Sequence, residues 1–136
     1  MLYKILDYLK TCPLLENALL MAEFLGEEEG SVSIQAVAVE PILEQYADGG
    51  ALKQFAFKIL SREDHHKLFK AETQKKLDQI GRFLEADKNG PVLSEGQVAQ
   101  KFQVLKNATL TDRHPGSHHR EMVCRLIYYE EKGSDT

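Results

Sequence analysis

The sequence feature that most constrains the fold is the segment from residue 46 to residue 60, YADGGALKQFAFKIL. Its DGG triplet at positions 48 to 50 is typical of a tight turn, because glycine adopts positive φ at little cost. After the turn, Phe55, Phe57 and Ile59 alternate with smaller or polar residues, and a period of two indicates a strand that is buried on one face. The segment therefore predicts a turn that leads directly into a strand of a sheet.

The residues before this turn predict a helix followed by strands. Residues 1 to 10 carry apolar side chains at i, i+3, i+4 and i+7, which is one stripe of a helix, and Pro13 ends that helix. Residues 14 to 25 fit a helix and a buried strand equally well, so both interpretations stay open. Residues 31 to 39 alternate as a strand does and then change phase, which predicts a β-bulge near Ala36.

The second half of the chain begins with a long helix. Ser61, with Asp64 three residues later, resembles a helix start, and apolar residues at helical spacing predict a helix over residues 65 to 86. The segment NGP at positions 89 to 91 then breaks the pattern.

Strand patterns follow the long helix. Residues 101 to 111 read as two short strands or one interrupted strand, and residues 112 to 119, DRHPGSHH, read as a loop. Residues 120 to 130 are apolar on both faces, so we expect a central strand, or one whose second face meets a partner.

This order of elements predicts an α+β fold, in which a mainly antiparallel β-sheet is flanked by an N-terminal helix and one long central helix. The chain has 136 residues, which is the size of one domain. We therefore expect a single domain over residues 1 to 136, with a flexible tail over residues 131 to 136.

Composition excludes several classes of function. The net charge is −4 and no cluster of Lys and Arg is evident, which disfavours tight binding to nucleic acid, because such binding needs clustered cations. No segment approaches the 18 or so apolar residues of a membrane helix. Cys12 and Cys124 lie far apart, and an apolar run around Cys124 favours a buried free thiol over a disulfide. These features predict a protein of the cytoplasm.

The histidines are the main candidates for chemistry. His114, His118 and His119 lie close to Asp112, and imidazole and carboxylate are ordinary zinc ligands. Their spacing matches no known zinc motif, and adjacent histidines on an extended backbone face opposite ways. We therefore predict no metal and no cofactor, and keep a small metal-dependent hydrolase that uses the histidine clusters as the alternative function.

Other catalytic motifs are incomplete. The pair His65-His66 is not followed by the DG that chloramphenicol acetyltransferases require, and an isolated DHH triplet is weak evidence for a phosphoesterase. No G-x-S-x-G, G-x-G-x-x-G or P-loop motif is present. The sequence therefore predicts a protein that is not an enzyme.

Four stretches in fixed order resemble a known family. They are YLKTCPLL at residues 8 to 15, residues 31 to 63 with the pattern PILEQYADGG, NGPVL at residues 89 to 93, and CRLIYYE at residues 124 to 130. The chain resembles small prophage proteins of tail-assembly modules, usually labelled minor capsid protein, of the tail-terminator and tail-completion group.

The resemblance implies a non-enzymatic protein that forms an oligomeric ring, commonly a hexamer, at the head-proximal end of the phage tail tube. Its expected partners are other copies of itself, the tail-tube protein and the head-completion connector, with no membrane. It would assemble in the bacterial cytoplasm and end in the neck or tail of the virion. A head–tail adaptor and a tail-assembly chaperone are the alternatives within this class. The polar and aromatic members of the matching pattern are the candidate partner-binding residues: Tyr46, Asp48, Gln54 and Arg62.

Overall fold

A six-stranded sheet with helices on one face forms the framework of the protein. The computed structural model describes residues 1–15, 20–23, 31–64, 71–86, 90–114 and 117–132. Its elements are helix α1 (Leu2–Leu9), a short 3-10 helix (Pro13–Leu15), β1 (Leu20–Ala22), β2 (Val32–Val37), β3 (Ile42–Gln45), β4 (Ala51–Asp64), helix α2 (Ala71–Ala86), β5 (Gln97–His114) and β6 (Ser117–Glu130).

The strands lie in the order β1-β2-β4-β6-β5, and β3 pairs with the first residues of β4. All of these pairs are antiparallel except β1 with β2, which is parallel. The predicted mainly antiparallel sheet is therefore observed. The C-terminal strand β6 lies between β4 and β5, which confirms that residues 120 to 130 form a central strand. Its apolar character on both faces follows from this position, since Leu126 and Ile127 are both buried.

The core fills the space between the sheet and the two helices. The predicted stripe of α1 is buried, and α2 buries its own apolar stripe against the same side of the sheet. Tyr8 of α1 stacks on Phe102 of β5, with 5.5 Å between the ring centroids, and contacts Phe83 of α2 at 6.0 Å. Phe102 meets Phe57 of β4 edge to face, so one aromatic chain joins both helices to the sheet. The fully buried side chains of the two helices are Ile5, Leu9, Leu77, Ile80 and Leu84.

The predicted bulge near Ala36 is wrong. Val32 to Val37 pair with Ser61 to Ala56 in continuous register. The change of hydrophobic phase has another cause: Val32 and Ile34 lie in the core, whereas Ala36 and the residues after Val37 are exposed. The strand leaves the part of the sheet that the helices cover, so the burial pattern changes without an inserted residue.

The predicted helix start at Ser61 is also wrong. Ser61 is buried inside β4, which continues to Asp64 because β6 pairs with it along its whole length and β2 pairs as far as Ser61. Pairing with strands on both sides stabilises the extended conformation of Ser61 more than its local sequence favours a helix start. The long helix is observed from Ala71, and residues 65 to 70, with His65 and His66, lie outside the described residues.

The predicted loop over residues 112 to 119 is wrong for the residues that the structure describes there, and residues 115 and 116 lie outside the described residues. Asp112 to His114 end β5, and Ser117 to His119 begin β6. Residues 101 to 111 belong to one long strand whose register shifts four times, which explains why the sequence pattern is interrupted. The ambiguous residues 14 to 25 contain the end of the 3-10 helix and strand β1, and residues 16–19 and 24–25 of that range lie outside the described residues.

Both cysteines are buried free thiols, as the sequence predicts for Cys124. Burial raises the pKa of the Cys124 thiol to about 12, with a smaller contribution from the charge of Glu85. The reactive thiolate is therefore not populated near neutral pH. Within the described ranges, neither helix has the length and apolar character needed to cross a membrane.

Candidate assembly surface

The segment from Val39 to Gly50, which we call the β3 hairpin, is built on a turn that three local hydrogen bonds hold. The backbone N–H of Gly50 donates to Asp48 Oδ1 at 2.8 Å, and the Tyr46 N–H donates to the Gly50 carbonyl at 2.8 Å. Gly49 donates to the Tyr46 carbonyl at 3.0 Å and has φ of 93°. The DGG triplet thus acts as predicted, and Asp48 shapes the turn.

Side chains from the end of β6 cover this turn. A Cβ at Gly50 would overlap the Tyr129 hydroxyl, and one at Gly49 would overlap the side chain of Lys132. Glycine is therefore required at position 50 by the close approach of Tyr129 as well as at position 49 by its positive φ. The turn is fixed to the body of the protein through β6.

Gln54 links the N-terminal end of the β3 hairpin, at Glu40 and Pro41, to the sheet by hydrogen bonds. Its side-chain Nε2 donates to the Glu40 carbonyl at 2.8 Å, and its backbone N–H donates to the Pro41 carbonyl at 2.9 Å. Its Oε1 accepts a hydrogen bond from Arg125 of β6 at 3.0 Å. Gln54 thus joins the chain before β3, its own strand β4 and the neighbouring strand β6, which is a structural role.

The β3 hairpin exposes large apolar side chains. Val39, Ile42, Leu43 and Tyr46 keep 40%, 41%, 39% and 38% of their surface exposed, and every residue of β3 is exposed. Leu43 is the additional residue of a bulge, because Ile42 faces Lys53 while Glu44 faces the next residue, Leu52. Grouped apolar residues on a surface mark a contact site more often than single ones do.

Strand β3 also presents an open backbone edge. In the described part of the chain β3 pairs with β4 alone, so the N–H and C=O groups on its other side have no strand partner. Such an edge is a template for pairing with another chain unless something blocks it. No charged residue other than Glu44 lies in β3.

The long edge strand of the sheet, β5, is obstructed at two backbone positions by side chains of α2. Glu85 of α2 accepts a hydrogen bond from the Val104 N–H at 3.1 Å, and Gln74 of α2 donates to the Ala108 carbonyl at 2.8 Å. The four register shifts of β5 interrupt its edge further. The third edge strand, β1, has only three residues. Of these edges, β3 is the one suited to an intermolecular contact.

Tyr46 lies at the rim of this surface. Its ring is tilted 39° against that of Tyr129, with 6.1 Å between the centroids. Partial desolvation and the nearby Glu44 carboxylate raise the pKa of the Tyr46 hydroxyl. The hydroxyl is hydrogen-bonded to the Glu44 side chain, so its proton already has a partner within the protein.

Of the four predicted partner-binding residues, the structure brings three together. Tyr46, Asp48 and Gln54 belong to or contact the β3 hairpin, whereas Arg62 lies eight residues further along β4. At the rise of an extended strand, that separation from Gln54 is about 27 Å. Arg62 is half-buried, its backbone N–H donates to the Ser31 carbonyl at 3.0 Å, and it stands opposite His119 of β6.

The sequence patterns do not identify Val39, Ile42 and Leu43 as exposed residues. Their signal is the change of phase at Val37 and Val39, from which the sequence predicts a bulge near Ala36. The feature that identifies them is a series of apolar side chains on both sides of Pro41. This series continues beyond the core-facing pattern of β2.

The sheet face opposite the helices carries paired polar groups. Arg125 donates to Gln103 Oε1 at 2.8 and 2.6 Å, in addition to Gln54, and Lys58 lies 3.6 Å from Glu121. These hydrogen bonds and this ion pair join side chains of neighbouring strands. The half-buried polar side chains on this face therefore have partners within the protein, and no ligand is needed to explain them.

A cavity of about 390 Å³ lies between α2 and β5. Gly81, Val104 and Met122 contribute its apolar lining. Two of its polar groups, Gln74 and Glu85, are already bonded to the backbone of β5. These groups attach the helix to the strand, which is a sufficient reason for their presence.

The candidate metal ligands His114, His118 and His119 lie on the ends of β5 and β6, and the structure describes their backbone only. Where side chains are described, no group of three or more His, Cys, Asp or Glu residues is arranged to hold a metal ion.

No protein-family model matches the chain, and no curated protein matches it in sequence. Among solved structures, the chain is similar to a protein chain in the structure entitled "Virion of native gene transfer agent (GTA) particle". The TM-score is 0.59 at 11% sequence identity, and the alignment covers 93% of each chain. The two proteins therefore share a fold over nearly their whole length.

Proposed function

We propose that this chain is a non-enzymatic structural protein of a phage or phage-like particle, and that it acts as a tail terminator, assembling into a ring through the β3 hairpin. The observation that carries the proposal is the open, apolar edge of β3 on a sheet whose long edge strand, β5, is obstructed by side chains of α2. The fold shared with a chain of a gene transfer agent virion supports the class of particle.

A ring needs two different surfaces on each copy, because its contacts are heterologous and close by rotation. The β3 hairpin supplies one surface, with Val39, Ile42, Leu43 and Tyr46 as apolar anchors. Exposed backbone groups along β3 supply hydrogen bonds of fixed direction, which set the orientation of the neighbour. An apolar contact combined with strand pairing is a mode of association that a small α+β protein can form repeatedly.

The overall charge suits a ring that surrounds DNA without holding it. The net charge of −4 repels the phosphate backbone weakly. In this role the partners are other copies of the chain, the tail-tube protein and the head-completion connector. Assembly takes place in the bacterial cytoplasm, and the protein remains in the neck of the particle.

The test is assembly of the chain alone and on tail tubes. Light scattering after size exclusion measures the mass of the free protein, and negative-stain imaging with purified tail tubes detects rings or capped tube ends. A protein that stays monomeric and leaves tube ends uncapped would refute the tail-terminator function.

The surface is tested separately with a matched pair of leucines. Leu43→Asp places a charge in the apolar edge of β3 and is expected to weaken assembly at least about tenfold, the size of a moderate hot-spot loss. Leu105→Asp is the control, because Leu105 is also exposed and is also the additional residue of a bulge, but on the blocked edge β5. Equal effects of the two substitutions would show that the β3 hairpin is not the contact.

A further inference from the structure

Val92 is the most exposed large apolar residue in the described part of the chain, with 91% of its surface accessible. It lies between α2 and β5, in the segment from Gly90 to Ser94, which we call the Val92 loop. On either side of it, Pro91 is buried and Leu93 packs against the core. One exposed valine needs no explanation by itself, so its meaning depends on where the Val92 loop stands.

Both ends of the Val92 loop are held against β5. Gly90 has φ of 64° and approaches β5 so closely that an added Cβ would lie 2.9 Å from Ala99 Cβ. The Ser94 N–H donates to Gln97 Oε1 at 3.2 Å, and the Ser94 carbonyl accepts from the Gln97 N–H at 3.0 Å. Ser94 Oγ also accepts a hydrogen bond from Lys4 of α1. The loop therefore presents Val92 from fixed supports.

The Val92 loop bows away from the sheet between these supports. Ala99 and Gln97 are two residues apart on β5, a distance of about 7 Å. The chain from Gly90 to Ser94 could span about 13 Å if extended, so its middle must project outward. In the described part of the chain, the backbone groups of Val92 and Leu93 make no hydrogen bond. The projecting middle thus combines an exposed apolar side chain with free backbone groups.

Strand β3 occupies the same level of the sheet as the Val92 loop, at the opposite edge. Two rows of paired residues cross the sheet from β3 to β5: Ile42, Lys53, Tyr128 and Ala99 form one row, and Gln45, Ala51, Glu130 and Gln97 form the other. Each row begins at one end of β3 and finishes on a β5 residue that supports the Val92 loop. The two segments therefore face away from each other across four strands.

This placement suits a closed ring. A head-to-tail contact uses two different surfaces of each copy, and it produces a ring if the rotation closes or a helical filament if it does not. Surfaces at different levels of the sheet would displace each copy along the strands relative to the one before. Because β3 and the Val92 loop lie at the same level, joining them adds no such displacement.

Charge also favours contact between the two segments. Residues 39 to 50, the β3 hairpin, contain three carboxylates and no Lys or Arg. Lys4, which is bonded to the Val92 loop, forms no ion pair within the described residues. Glu95, the one carboxylate of residues 90 to 96, lies in the turn after the loop. An acidic hairpin and a cation beside the loop are complementary, which helps to fix the orientation of neighbouring copies.

We propose that the Val92 loop is the surface that receives the β3 hairpin of the neighbouring copy, an inference that rests on the ring assembly proposed above. Val92 packs among the exposed side chains of Ile42, Leu43 and Tyr46 of that copy. The free backbone groups of Val92 and Leu93 face the open edge of β3. The fixed ends of the loop keep the ordering cost of the contact low.

Val92→Asp tests the apolar part of this contact. The substitution is expected to weaken assembly at least about tenfold, measured by light scattering over a range of protein concentrations. Its melting temperature should stay that of the unaltered protein, because the side chain is almost fully exposed. Leu105→Asp is again the control, since Leu105 is exposed on β5 beyond the Val92 loop.

Cross-linking tests whether the two surfaces meet each other. Leu43→Cys protein is mixed with Val92→Cys protein and treated with a short bismaleimide, and the mixture is expected to give heterodimers on a denaturing gel. A mixture of Leu105→Cys with Val92→Cys is the matched control and should give none above background. The unaltered chain sets that background, because both of its own cysteines are buried.

Two results would overturn this contact: assembly of Val92→Asp as strong as that of the unaltered chain, or equal cross-linking in the two mixtures. Either result would leave the tail-terminator function standing if the unaltered chain forms rings or caps tube ends. Conversely, heterodimers specific to the first mixture would support the contact even if tube ends stayed uncapped, and the failure would then belong to the tail-terminator function.

Discussion

At the scale of single residues, Asp48 is the clearest case of a side chain whose local role follows from the sequence. Its carboxylate accepts the hydrogen bond of the Gly50 N–H at 2.8 Å and closes the turn before β4. Sequence reasoning treated it as a partner-binding candidate and recognised turn formation as the other interpretation. The hydrogen bond supports turn formation, so Asp48 would act on the proposed assembly only through the shape of the turn next to β3.

Asp48→Ala is expected to lower the free energy of unfolding by about 1 kcal/mol, the usual net value of one hydrogen bond. Asp48→Asn retains an acceptor oxygen at the same position and should stay close to the unaltered protein. Urea denaturation of both variants makes the comparison. Similar losses in the two would mean that the charge of Asp48, and not its hydrogen bond, stabilises the turn.

Glu130 gives a pH-dependent prediction at the same scale. It is buried near the end of β6, and it accepts hydrogen bonds from Lys53 and, at 2.7 Å, from Gln97. The Lys53 contact is the main cause that lowers the pKa of the Glu130 carboxyl from its ordinary value of 4.5, and burial opposes it in part. The carboxylate therefore stabilises the fold above that value, and the contribution is lost as the pH falls through the lower folded-state pKa.

Glu130→Gln is expected to cost about 1.5 to 3 kcal/mol at neutral pH, the range for a hydrogen bond to a charged group. The difference from the unaltered protein should shrink as the medium becomes acidic. Denaturant unfolding at several pH values measures it, and Glu95→Gln, at an exposed position, controls for the change of net charge. A difference that is constant with pH would contradict the assigned role of the Lys53 contact.

The position of α2 depends on Gly81 at the scale of secondary-structure elements. A Cβ at this residue would lie 3.0 Å from Val104 Cγ2 and 3.2 Å from Met122 Sδ. The helix therefore approaches the sheet closely only because this residue has no side chain. The same approach brings Gln74 and Glu85 within reach of the β5 backbone, so one glycine helps to keep that edge blocked.

Gly81→Val is expected to destabilise the protein by about 1 to 3 kcal/mol, the range for overpacking, because the new side chain would press on Val104 and Met122. Lys75→Val, at an exposed position of the same helix, reports the cost of a β-branched residue in a helix and should remain within about 0.5 kcal/mol. Thermal unfolding of both variants gives the comparison. A stable Gly81→Val protein would show that α2 can move away from β5 without loss.

The elements that the sequence predicts correctly are those whose local pattern and tertiary environment agree. The stripe of α1 and the alternation of Phe55, Phe57 and Ile59 both describe faces that are buried in the fold. Ser61 fails as a helix start because its strand neighbours, distant in sequence, decide its conformation. Ser117 to His119 do not form the predicted loop, because pairing of β6 with β4 extends the strand beyond what its composition predicts.

The candidate surface also combines features that local sequence determines with features that the tertiary structure determines. The turn at positions 48 to 50 could be predicted, because positive φ and a short acceptor side chain are local properties. The exposure of Ile42 and Leu43 could not, since an apolar residue has the same identity in a core and on an edge. Whether such a residue is buried or exposed depends on whether a helix covers that part of the sheet.

The arrangement of edges is the main property at the scale of the whole molecule. The sheet has a long edge that helix side chains and register shifts obstruct, a three-residue edge strand, and the open strand β3. This asymmetry disfavours indiscriminate stacking of sheets, because one open edge cannot extend a sheet in both directions. It is compatible with head-to-tail association through β3 and a different surface of the neighbouring copy.

The contact between Tyr46 and Tyr129 also has an optical consequence. The chain has five tyrosines and no tryptophan, so tyrosine dominates its ultraviolet emission. Two of these fluorophores lie together beside the exposed edge of β3. The protein therefore carries an intrinsic, label-free reporter at the surface proposed to bind its neighbours, and that signal would be masked in a relative with a tryptophan elsewhere.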